Sequence, residues 1–432
     1  MQDYNRELLQ FIEQSPTAWH AADTVAKTLE KAGYTRLEEQ DDWSLHAPGK
    51  YYVTRSGSAV IALNLPEKPE NFLIMAAHDD APAFRVKCGG EEKNLGLYTR
   101  LSVEKYGGML CSTWLDRPLS VAGRVAVRTK NGVELRLVNI DRDLLLIPNL
   151  AIHMDRSANE EKSYNVNVDM LPLMGGAGME KGLNALLAET LGVAEEDIVS
   201  RELNLYPRTP GCVWGAENEF VSAPRLDDLQ CVFGCMQGFL QVEQPACATV
   251  LCVFDNEEVG SGTRQGAAST FLDDVLCRAW EALGNTNAQY RAAVSRSFMV
   301  SADNAHAVHP NRPEFADRNE RPALNAGVVI KYNAAMNYTT DGYSAAVFQE
   351  ICRRAEVPVQ SYSNRPDLRG GGTLGHISLS QVAVPTLDIG LAQLAMHSCY
   401  ETAGAKDTSH LVAAARAFYA CAYRPAKQGF TL

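Results

Sequence analysis

Four apolar runs in this chain end in side chains that can hold a cation or move a proton. The run 72–77 leads into His78-Asp79-Asp80, and 248–254 leads into Asp255-Asn256-Glu257-Glu258. The run 297–300 leads into Ser301-Ala302-Asp303, and a strand starting at Val384 leads through 390–396 to His397. In open α/β sheets, ligands bind outside the carboxyl ends of the strands, so four such ends can converge on one crevice. Converging carboxylates need neutralising: two unit charges 4 Å apart repel by roughly 4 kcal/mol at an effective dielectric of 20. Protonation is one relief and divalent metal the other, and two histidines in the set favour metal. Imidazole nitrogen mixed with carboxylate oxygen suits zinc, with manganese or cobalt as competitors. One carboxylate shared by two ions would give a co-catalytic pair able to activate water. Neighbours in an extended segment point opposite ways. Of Glu257 and Glu258, one can therefore bind metal while the other stays free to take a proton. Asp80, two residues after His78, is placed to accept the histidine's other N–H and fix its ring.

These residues need a scaffold, and the rest of the chain supplies one. The chain has 432 residues, 46% hydrophobic and 21% charged, with 32 Gly and 19 Pro, which is ordinary globular usage and excludes disordered, collagenous and coiled-coil classes. The first 35 residues are expected to be helical, with Leu8, Leu9, Phe11 and Ile12 as one apolar face and a second helix at 15–31 that has Pro16 at its first position and Gly33 beyond its end. The runs 59–65 and 72–77 read as buried strands. Later come a helix at 229–242, a strand at 248–254, a helix at 263–283, strands at 297–300 and 327–330, a helix at 342–355, a strand at 384–389 and a closing helix at 407–423. Alternating helices and strands imply an open, partly parallel sheet. The middle differs: 119–129 and 133–137 alternate around Lys130-Asn131-Gly132, a strong hairpin signal. Residues 86–225 are therefore expected to form a β-rich insertion, with one helix near 183–191. It would divide a catalytic domain made of 1–85 and 226–432.

The formal charge of −12 argues against a nucleic-acid partner. No apolar run reaches the roughly 18 residues of a membrane span, and Met1–Glu7 has no apolar signal region, so a cytoplasmic protein is expected. Eleven cysteines occur, none as Cys-x-x-Cys, and they are expected to be buried small apolar residues in a reducing compartment.

Taken together, these segments resemble the M18 family of metalloaminopeptidases, the aspartyl aminopeptidase family. His78-Asp79-Asp80-Ala81-Pro82 is similar to its His-x-Asp-Ser-Pro. Similar blocks follow at Tyr106-Gly107-Gly108, Trp114-Leu115-Asp116-Arg117, 119–125, 147–156, 223–229 and 255–261. The longest runs from Ser301 to Asn311, and the last is Gln393-Leu394-Ala395-Met396-His397-Ser398. The resemblance implies an α/β zinc-peptidase-like catalytic domain, with a central mixed sheet flanked by helices, interrupted by a β-rich dimerisation or oligomerisation domain. It implies two divalent ions, most often Zn²⁺ with Co²⁺ or Mn²⁺ as substitutes. Their ligands would be His78, Asp227, Glu258, Asp303 and His397, with Asp227 bridging. Asp227 lies at no predicted strand end. The same resemblance makes Glu257 the general base, places Lys331 and Tyr338 against substrate, and implies tetrahedral dodecamers acting on peptides with a free N-terminus. An acidic N-terminal residue is the expected preference. Basic or apolar preference within the family, or a deacylase on the same dinuclear site, are the alternatives. Ser112 stands where the family usually has a histidine that helps complete a neighbouring subunit's site, Asp79 where it has Thr, Ala81 where it has Ser, and Asn304 where it has Met.

Of the other histidines, His20, His46 and His410 are expected to be surface or satisfied, His153 structural, and His306 a packing or assembly residue. His309 is a candidate substrate or subunit contact. The glycine-rich 370–375 before His376 reads as a tight turn or a backbone contact to substrate, and lacks the Lys-Ser/Thr of a phosphate loop.

Overall fold

The computed structural model describes residues 3–368 and 370–432. The chain builds an α/β core around a nine-stranded mixed sheet. Its order is Thr35–Leu37, Gly49–Arg55, Ala59–Leu65, Ala248–Phe254, Phe72–His78, Phe298–Ala302, Thr386–Gly390, Val328–Tyr332 and Val359–Ser363. The four strands from Ala248–Phe254 to Thr386–Gly390 are mutually parallel, so their carboxyl ends face one side.

The apolar runs are continuous because both faces of these strands are covered. Leu73, Met75, Val253 and Val300 face one hydrophobic cluster, completed by the helices Leu226–Leu240, Asp407–Ala420 and Gly342–Arg354 and by two N-terminal helices, Asn5–Gln14 and Ala18–Lys31. Ile74, Ala76, Val250 and Met299 face the other, completed by Phe271–Ala282 and Asn287–Val294.

A second, six-stranded sheet is antiparallel: Gly132–Asn139, Leu119–Thr129, Ile198–Pro207, Ala83–Asn94, Tyr98–Tyr106 and Leu173–Gly176. The Lys130–Asn131 hairpin joins its first two strands, and the helix Leu183–Leu191 packs in its core. A third, five-stranded sheet has the order Cys212–Trp214, Phe220–Ala223, Glu401–Gly404, Ala392–Leu394 and Ala305–His306.

Some elements differ from expectation. The second helix starts at Ala18, not at Pro16, with Thr17 as its N-cap. The helix expected over 263–283 starts at Phe271. The preceding residues are held in turns instead: Thr263 and Gln265 donate side-chain hydrogen bonds to Asn256. Gly266 packs so closely on Ser261 that a Cβ there would lie 2.3 Å from its carbonyl oxygen. Six of the eleven free cysteines are buried as expected, but Cys88 and Cys212 are exposed and Cys111, Cys277 and Cys421 half-buried. No helix among the described residues is long and apolar enough to cross a membrane.

Candidate active site

His78 is the last residue of its strand, in register with Phe254 on the neighbouring strand. Its Nδ1 lies 3.1 Å from the backbone carbonyl of Asp80 and 3.4 Å from the Asp80 carboxylate. A carbonyl only accepts, so Nδ1 carries a proton and Nε2 is the nitrogen left to face a metal. The Asp80 carboxylate was expected to take that N–H. It is mainly occupied elsewhere: it accepts the backbone N–H of Glu257 at 3.0 Å and of Glu258 at 3.1 Å, and the Tyr106 hydroxyl at 2.6 Å.

Glu257 and Glu258 are not extended. They sit in a 3₁₀ turn, Glu257–Val259, entered through Asn256 in the left-handed region at φ 65°. The two amides donated to Asp80 hold this turn, and both carboxylates reach the His78 side of the crevice. Asp303 follows the Phe298–Ala302 strand, as the strand-end argument requires.

Asp227 arrives by another route. The strand Phe220–Ala223 leads to Arg225 at φ 57°, which swings the chain so that the buried Asp227 points into the crevice. Its Oδ1 is 3.7 Å from His78 Nε2, and its Oδ2 is 3.5 Å from His397 Nε2. His397 Nε2 is also 3.3 Å from Glu258 Oε1. Donor atoms of His78, Asp227 and Asp303 lie within 4.8 Å of one another, and so do those of Asp227, Glu258 and His397. His397 itself is left-handed at φ 65°, a conformation costing about 1–3 kcal/mol for a non-glycine residue. Two hydrogen bonds hold it there: its N–H donates to Glu401 Oε1 at 2.7 Å, and its carbonyl accepts the Leu110 N–H at 3.0 Å.

The site carries more negative charge than His78, His397 and Lys331 offset. Burial, then neighbouring carboxylates such as Asp227, push Glu258 well above the usual carboxylate range. Burial also raises Asp303, against the opposing pull of Lys331. Glu257 is pushed up to about 7, first by burial and then by Asp303 and Asp80, with His78 opposing. Burial alone would raise Asp227, but the two histidines outweigh it and hold it low. Burial would lower His78, and the carboxylates of Asp80, Asp228 and Glu257 overcome that and raise it. The donor set fits divalent cations. Asp227 Oδ1 and Glu258 Oε1 are buried without a hydrogen-bond partner among the described residues, a costly state for carboxylate oxygen unless a cation is bound.

Lys331 and Tyr338 line the same crevice. The buried Lys331 Nζ is 3.5 Å from Asp303 Oδ2 and 5.4 Å from the centre of the Tyr338 ring. His309 is not with them. It lies in an adjoining depression with Arg312, Phe315 and Arg365, and its Nδ1 accepts the Asn311 N–H. His306 lines the crevice wall, its ring against Tyr362. Gly371 and Gly372 also line it. Sequence reasoning missed Glu401, whose other oxygen accepts the Asp227 N–H at 2.9 Å, and Tyr106. Both lie at ends of strands outside the main sheet, and a lone Glu or Tyr carries no spacing signal.

Residues 11–419 match the family model described as aminopeptidase I zinc metalloprotease (M18). The chain belongs to the M18 family of aminopeptidases. A probable M18 family aminopeptidase 2 of Clostridium acetobutylicum is 42% identical over 426 residues, covering 96% of this chain and 98% of that one. A protein of the same description from Pseudomonas paraeruginosa is 40% identical over 432 residues, covering 98% and 99%. Among solved M18-like structures, a chain of the Ape4 and Nbr1 complex superposes with a TM-score of 0.93 at 37% identity, over 96% of this chain and 85% of that one. The S. cerevisiae mApe1 dodecamer gives 0.86 at 27%, over 96% of each chain.

Proposed function

We propose that this M18 chain removes the N-terminal residue of peptides with the help of two divalent ions, and that it favours acidic N-termini. One observation carries the reading: the two oxygens of Asp227 face different partners, His78 on one side and His397 on the other. His78, Asp303 and Asp227 would hold one ion, and His397, Glu258 and Asp227 the other. Zinc suits this nitrogen and oxygen set, and cobalt or manganese can replace it. When bound, the pair supplies a Lewis acid for the scissile carbonyl and lowers the pKa of the attacking water.

The chain's own residues do the rest. Glu257 takes the proton of that water and passes it to the leaving amine. Burial, the main influence on its carboxyl, favours the protonated form and so favours its taking up a proton. Asp80 fixes the Glu257 backbone, and so the reach of its side chain. Lys331 supports the acidic preference. Asp303, its carboxylate partner at 3.5 Å, is shared with the metal donor set, so the ammonium has charge left for a substrate carboxylate.

Residues 86–225, the span of most of the six-stranded sheet, are proposed as the oligomerisation domain of a homo-oligomer, a tetrahedral dodecamer. The mApe1 neighbour is a dodecamer, and the edge strand Gly132–Asn139 leaves Val133, Leu135 and Leu137 exposed.

The test is a panel of chromogenic aminoacyl substrates with Asp, Glu, Lys and Leu N-termini, alongside N-acylated counterparts. It uses enzyme stripped by chelator and reloaded with Zn²⁺, Co²⁺ or Mn²⁺. The expected result is metal-dependent cleavage of free-amine substrates, fastest for Asp and Glu. Cleavage of only the N-acylated set would make the protein a deacylase. Faster cleavage of Lys or Leu substrates would overturn the acidic preference.

A further inference from the structure

Glu401 is 1% exposed and belongs to the small five-stranded sheet. Its strand pairs with Phe220–Ala223, the segment that leads to Asp227, with Ala223 opposite Glu401. His397 lies four residues before it. The carboxylate spends both oxygens on the backbone of these two residues: Oε2 accepts the Asp227 N–H at 2.9 Å, and Oε1 accepts the His397 N–H at 2.7 Å. Among the described residues Glu401 forms no ion pair. A buried acid must have its oxygens satisfied, and Glu401 satisfies both with main-chain donors. This one bridges two site residues far apart in the chain, whose side chains meet at 3.5 Å.

We infer that Glu401 is a positioning residue that sets the spacing of Asp227 and His397, and through it the affinity of the site these two share with Glu258. The inference rests on the reading that Asp227 and His397 hold metal. A carboxylate is rigid and planar, so two N–H groups bound to its two oxygens are held at a fixed separation. An amide in its place turns an NH₂ donor against one of them.

The experiment titrates Co²⁺ into apoenzyme of wild type, Glu401→Gln and His397→Ala, following the visible absorption of bound cobalt, and then measures kcat and KM. For Glu401→Gln one of two equivalents should bind about 10–100-fold more weakly, the range for residues that orient ligands, and kcat should fall with KM unchanged. Wild-type cobalt affinity and kcat in Glu401→Gln overturn the inference and leave the metal reading intact. Two undiminished equivalents in His397→Ala overturn the metal reading itself. If Glu401→Gln does not fold, hydrogen–deuterium exchange of wild-type apoenzyme decides. Protected amides at Asp227 and His397 support the clamp, and fast exchange there in otherwise folded protein overturns it.

Discussion

The carboxylate of Asp80 accepts the backbone N–H of Glu257 at 3.0 Å. This bond joins the ends of two adjacent parallel strands, one bearing His78 and the other leading to Glu257. It ties the proposed base to the proposed ligand through one side chain, so disturbing either end should be felt at the other.

Glu257→Gln keeps the shape of the side chain and its backbone bond to Asp80 but cannot accept a proton. Turnover should fall by at least about 10², the lower range for loss of a general base. Metal content, read by elemental analysis, should stay at the wild-type level. A variant turning over near the wild-type rate would remove Glu257 from the proton transfer.

Tyr106 donates to Asp80 at 2.6 Å and accepts from the Asn256 side chain at 2.8 Å. Tyr106→Phe removes the hydroxyl, frees one Asp80 oxygen to move and leaves the Asn256 amide without that partner. A loss of about 10–100-fold in kcat is expected, as for other residues that orient a site from behind. Steady-state kinetics with an aspartyl substrate checks it, and an unchanged kcat would confine Tyr106 to packing.

Lys331→Met should weaken acidic substrates selectively. Removing one partner of a buried charge pair costs at least about 2 kcal/mol, or about 30-fold in kcat/KM for an Asp substrate. A Leu substrate should be almost unaffected. Equal losses on both would mean that Lys331 serves Asp303 and does not read the substrate.

His20 gives a pH prediction away from the crevice. Burial, only partly opposed by Asp23, lowers its pKa from 6.5 to about 4, and Thr17 Oγ1 lies 2.8 Å from its Nδ1. Between these values the unfolded chain binds a proton that the folded chain refuses. Stability from this group is therefore complete above 6.5 and is lost as pH falls toward about 4. The loss amounts to at most about 3 kcal/mol, at 1.36 kcal/mol per pKa unit. In His20→Asn, the melting temperature should fall less steeply across that window. Parallel wild-type and variant curves would contradict it.

The sequence alone determined the strands whose ends carry His78, Glu257, Glu258 and Asp303. Runs such as 72–77 are apolar throughout because both faces are buried, and that pattern is local. The Asn-Gly hairpin and the main helices are legible for the same reason. Asp227 was reached only through family resemblance, because it follows a left-handed Arg225 and not a strand of the main sheet. Tertiary structure decided the rest. The five-stranded sheet that gathers Asp227, His397 and Glu401 is built from strands of two to four residues, Ala305–His306 to Glu401–Gly404, drawn from distant parts of the chain. Segments so short show no periodicity, and their pairing exists only once the core has brought them together. The same holds for the Glu257–Glu258 turn, which looks extended in isolation and is bent by its bonds to Asp80.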